Sequence, residues 1–96
     1  VEELLNSYQE LKGCIDETVV LFYQQNINDG FKKMDILLLH IEKVTDLLYQ
    51  KENIKENINT ILDRVMLAMQ EMDTIVLADT LKYELVSYYE KMLELN

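Results

Sequence analysis

Apolar residues return at every seventh position in four successive segments of this chain, and no other feature narrows its fold as far. In the first segment Val1, Tyr8, Ile15 and Phe22 keep one register, with Leu4, Leu11 and Thr18 filling the companion seam. The second segment pairs Met34, Ile41 and Leu48 with Phe31, Leu38 and Val44 or Thr45. The third pairs Ile58, Val65 and Met72 with Ile54, Ile61 and Ala68, and the fourth pairs Leu81, Tyr88 and Leu95 with Ala78, Leu85 and Met92. Paired apolar positions on that period mark helices that bury one stripe each against their neighbours. The 96 residues include no proline and two glycines, so the commonest helix breaker is missing.

Three polar stretches punctuate the chain, at 26–30, 50–53 and 71–73. They predict helices over about 1–25, 29–51, 54–72 and 74–95. Asn28 or Asp29 is placed to cap the second helix, Asn53 with Glu56 has the layout of a capping box for the third, and Asp73 can cap the fourth. Helices of about 22 residues are roughly 33 Å long, and short connections force consecutive ones to run antiparallel. The expected fold is all-α, a single domain over 1–96 built as an up-down-up-down four-helix bundle. Gly13, inside the first helix, is a candidate for a close helix crossing. No internal repeat is visible beyond the shared seams.

Eighteen acids against nine bases give a net charge of −9. Such a field repels phosphate backbones and anionic lipid surfaces, so neither nucleic acid nor membrane is an expected partner. Residues 1–25 are the acidic end, with five acids and one base, while 28–51 hold four of each. Cys14 is the only cysteine, which leaves no internal disulfide and no thiolate cluster and fits a reducing compartment. The longest apolar runs, Val19 to Tyr23 and Val65 to Met69, are five residues, and no leader-like pattern opens the sequence. A cytoplasmic location is expected.

Apolar residues left over from the seams point to a surface. With the fourth helix centred on Leu81, the residues Ile75, Val76, Tyr83, Val86 and Leu93 fall roughly 120° to 160° from the core centre. They share that side with Asp79. A second apolar stripe on a bundle helix reads as an interface for a protein partner or for a second copy of the chain. Tyr83, Val86 and Leu93 are the expected anchors, with Asp79 and Tyr83 close enough to pair. Glu84 lies nearer the core and calls for a hydrogen bond to a tyrosine or lysine of a neighbouring helix. Ile36, Leu39 and Leu47 on the second helix, Val20 and Leu21 on the first and Leu67 on the third are likewise off the core.

Little in the sequence carries chemistry. Di-iron bundles need core-facing glutamates and Glu-x-x-His pairs, whereas the only histidine, His40, follows Leu37 at that spacing. One histidine and one cysteine on different helices do not make a zinc site. Ser7, Ser87 and Cys14 lack a neighbouring base, and no glycine-rich loop is available to cradle phosphate. The chain is expected to be neither an enzyme nor the holder of a cofactor or metal.

Residues 40–43, His-Ile-Glu-Lys, resemble the His-x-x-Lys core of histidine phosphotransfer domains. That resemblance implies His40 as phosphoacceptor and Lys43 as the group that steadies the phosphoryl charge; Val44 stands where the family usually has glycine. The fourth segment is similar to the last helix of small, mostly Firmicute, helical proteins of unassigned function. The similarity rests on Asp73, Ala78, Asp79, Leu81, Tyr83, Glu84 and Leu85, with Ser87 where that family often has proline. It implies a small cytosolic bacterial helical protein. In size, acidity and helical content the chain also resembles flagellar export chaperones, which hold partner segments in apolar grooves, although their sequence signature is absent.

Overall fold

A computed structural model describes residues 2–50 and 57–94, which form four helices and no strand. Helix α1 spans Glu2–Tyr23, α2 Ile27–Tyr49 and α3 Asn59–Gln70. The fourth helix, α4, has three consecutive parts: α-helix over Thr74–Asp79, a π-helical turn over Thr80–Leu85 and α-helix again over Val86–Leu93. The all-α four-helix bundle expected from the heptads is the architecture observed. It measures 39 × 23 × 22 Å. α1 packs along both α2 and α4, and α3 packs along α4, while α2 and α3 approach each other less closely. Expectations resting on Val1, Asn53, Ile54, Glu56 and Leu95 lie outside the described residues.

The two described connections are built alike. At the end of α1, Gln25 takes a left-handed conformation at φ 63°, its amide donating to the Phe22 carbonyl at 3.0 Å and that of Asn26 to the Leu21 carbonyl at 2.8 Å. At the end of α3, Met72 stands at φ 54°, its amide donating to Met69 at 3.1 Å and that of Asp73 to Ala68 at 2.9 Å. Both are Schellman turns, which close the last carbonyls of a helix, and each hands directly to the next helix. Asn26 and Asp73 are the N-caps that follow, so α2 starts two to three residues before the expected Asn28 or Asp29. The Asp73 carboxylate accepts from the Val76 amide at 3.2 Å, as expected; the Asn26 side chain makes no cap bond.

Tyr8, Leu11, Ile15, Phe22, Met34, Val44, Leu48, Val65, Leu81 and Leu85 form the core the heptads predict. Each fully buried side chain of this size contributes roughly 1.5–3 kcal/mol. Met72 is a correction: the left-handed turn carries it out of the seam, and it is exposed. Leu47 is another, half-buried against the core instead of facing out. Gly13 makes no close crossing, for a β-carbon there would meet nothing within 4 Å. The close approach is at Gly30, tucked under the Phe22 ring, which in turn meets Phe31 edge-on at 5.3 Å.

The π-helical turn explains the largest departure from the expected core. Leu77, Leu81, Leu85 and Tyr89 recur every four residues and all are fully buried. On a straight α-helix each four-residue step runs about 40° past a full turn, so the stripe would wind away from the core. A π-turn rotates the chain less per residue and cancels that drift. Its rotation also draws Val86 inward, to 9% exposure, and lays Leu93 half-buried against the core. Neither is the outward anchor that ideal geometry predicts. Thr80, buried at the start of the turn, satisfies its hydroxyl on the Val76 carbonyl at 2.7 Å.

Candidate functional site

The outward face of α4 survives over its first half. Ile75, Asp79 and Tyr83 lie four residues apart on one stripe, with Val76 beside them, and all four are exposed. Of the three apolar side chains Tyr83 is the most open, at 57%. Asp79 does not pair with Tyr83. Its carboxylate instead accepts a hydrogen bond from the Tyr23 hydroxyl of α1, which crosses to it from the last turn of that helix. The bond to Asp79 pushes the Tyr23 phenol up to about 12, because ionisation would remove the donated proton and then set two negative charges together.

Lys82 completes the arrangement. Its ammonium sits 5.7 Å from the centre of the Tyr23 ring and 5.1 Å from that of Tyr83. Cation–π contacts of this kind, at exposed positions, contribute about 0.5–1 kcal/mol each. Two aromatic rings are thus held around one cation, and one of them, Tyr23, is tied to Asp79, with Ile75 and Val76 one turn from that carboxylate. Tyr23 and Lys82 were not legible as members of this face. Tyr23 sits at the exposed end of α1, and only the crossing of α1 over α4 brings it to Asp79.

Glu84 is half-buried and pairs with Arg64 of α3, not with a tyrosine or lysine. A guanidinium on an adjacent helix meets the same need as the expected partners, binding the carboxylate through a charge-assisted hydrogen bond. On the opposite edge of α4, Tyr8 donates to Glu90 at 3.2 Å. Burial first, and the Glu90 charge second, hold the Tyr8 phenol well above its ordinary value.

His40 lies elsewhere, half-buried in a shallow groove of about 350 Å³ between α1 and α2. Gly13, Cys14, Glu17 and Lys33 line the same groove, and Lys33 donates to Glu17 at 2.6 Å. Lys43 is exposed and is not part of that lining. Glu10 and Glu17 are part of it, and their charges oppose a phosphoryl group on His40. Burial pushes the Cys14 thiol up, so less of it is the reactive thiolate at neutral pH. Among the described residues, no group of three or more His, Cys, Asp or Glu is placed to hold a metal ion, and no helix is long and apolar enough to cross a membrane. No protein-family model, curated protein or solved structure matches this chain.

Proposed function

We propose that this protein is a non-enzymatic protein–protein interaction module whose docking face is the first half of α4 together with the end of α1. The observation that supports this reading is the Tyr23–Lys82–Tyr83 cluster, an aromatic pair around one cation with Tyr23 tied to Asp79, beside the exposed Ile75 and Val76. Tyrosines are among the side chains that most often concentrate binding energy, and rings already ordered lose little conformational entropy when a partner covers them. The setting that goes with this reading is the bacterial cytoplasm, which the resemblance of the fourth segment implies and the lone cysteine fits.

The occupant is a protein partner or a second copy, and one pair of measurements separates them. Sedimentation equilibrium of the wild type and of Tyr83→Ser reads self-association; affinity capture with Tyr83→Ser and Ile75→Ser baits reads a partner. Loss of either dimer or captured protein in the variants supports the face. A wild-type monomer whose captured proteins are unchanged in both variants refutes it.

A further inference from the structure

We propose that the open seam between α2 and α3 is a second docking groove, and that its ligand is a basic amphipathic helix of another protein. The inference goes beyond the α4 face, which lies on a different side of the bundle. The seam is a groove of about 320 Å³ lined by Leu38, Ile41 and Thr45 of α2 and by Leu62 and Met66 of α3. Met66 is 53% exposed, a large apolar side chain standing in solvent beside an apolar trough. Methionine at such a place adapts to the shape of what covers it.

The floor selects for apolar anchors. Thr45, the one polar side chain among those five, already shares a hydrogen bond of 2.9 Å with the buried Tyr89 hydroxyl, so a polar anchor finds no free partner there. From Leu38 to Asp46 the trough spans about 12 Å of helix, a little over two turns. That length suits apolar residues at i, i+4 and i+7 of a docked helix.

The rim selects for positive charge. Glu42 and Asp46 border the trough, and Asp35, seven residues before Glu42, continues the same exposed stripe of α2. Asp63 is exposed on α3 next to Leu62. Among the described residues the cations nearby face elsewhere: Arg64 is tied to Glu84 on the α4 side, and Lys43 lies about 140° around α2 from Leu38. A second copy of the chain brings the same net charge of −9, so the acidic rim repels it and favours a basic partner.

The test uses the whole protein and a synthetic helical peptide carrying leucines at i, i+4 and i+7 flanked by lysines, with a glutamate-flanked version of the same peptide. Fluorescence anisotropy is expected to show salt-sensitive binding of the basic peptide alone. Binding weakens roughly tenfold in Met66→Ser and in Glu42→Gln/Asp46→Asn. The Glu2→Gln/Glu3→Gln variant changes net charge equally but away from the groove, and it is expected to bind as wild type; so is Tyr83→Ser. Methyl chemical shifts of Leu38, Leu62 and Met66 move on titration. Equal binding of both peptides, or equal weakening in the Glu2/Glu3 variant, overturns the groove. Loss in Tyr83→Ser with no effect of Met66→Ser overturns it in favour of the α4 face, and a wild-type dimer that Met66→Ser dissolves assigns the groove to a second copy instead.

Discussion

The ring of Phe22 reaches to 2.5 Å from where a β-carbon on Gly30 would stand, so one hydrogen atom is all the space at the top of α2 admits. Phe22 is fully buried and cannot swing outward without losing its edge contact with Phe31. Gly30→Ala is therefore expected to destabilise the bundle by about 1–3 kcal/mol, the range for overpacking a filled core. Gly13→Ala has open space and a helix interior to favour it, and is expected to stabilise by about 1 kcal/mol. Urea unfolding of the two variants checks this; the reverse order would show that the α1–α2 packing is not as described.

Gln25 and Met72 occupy left-handed positions that cost an L-residue about 1–2 kcal/mol. Glycine relieves that strain but gives up more freedom on folding. Gln25→Gly and Met72→Gly are each expected to raise stability by about 0.5–1 kcal/mol, read as a higher urea midpoint at unchanged slope. A drop in either would mean that the side chain, not the backbone, holds that turn.

Three phenols are held protonated by the fold. Burial and Glu90 raise Tyr8, the Asp79 bond raises Tyr23 to about 12, and burial raises Tyr89 to about 12 against the opposing bond from Thr45. Between the free-tyrosine value of about 10 and these higher values the native chain keeps protons that the unfolded chain releases. Their contribution is thus complete below about pH 10 and falls as pH rises through about 12. Ultraviolet tyrosinate titration of the native protein should show a late-ionising group that merges with the rest once denaturant is added, and Tyr23→Phe should remove one member of it. A titration already at the free-tyrosine value in the native state would contradict both hydrogen bonds.

Arg64 and Glu84 are each about half in solvent, so their pairing is screened. A double-mutant cycle with Arg64→Ala and Glu84→Ala is expected to give a coupling of about 0.2–1 kcal/mol that shrinks with salt. A coupling well above that range would mean the pair is sealed from water.

What could be read from the chain divides along physical lines. Seven-residue periodicity found the helices and most core positions because burial in α1 and α2 follows an undisturbed α-helical rotation, as Tyr8, Ile15 and Phe22 show. It misjudged Val86 and Leu93, and passed over Tyr89, because all three lie beyond the π-turn, where the rotational count is reset. The four-residue stripe Leu77, Leu81, Leu85, Tyr89 carried a visible hint, since leucines at that spacing do not stay on one face of an ideal helix. Ile75, Val76, Asp79 and Tyr83 lie before or within the turn and were placed outward correctly. Tyr23 was beyond reach, because its role depends on which helices are neighbours, and a local pattern does not encode that.

The π-turn leaves α4 with one residue more than its span requires. Almost anywhere else in a helix, losing a residue throws every later side chain out of phase. Here deletion of Lys82, Tyr83 or Glu84, none of which is a buried core residue, is expected to convert the turn to ordinary α-helix while Tyr88 and Tyr89 keep their seats. This stretch is accordingly where the gene can change length by a codon and still encode the same bundle.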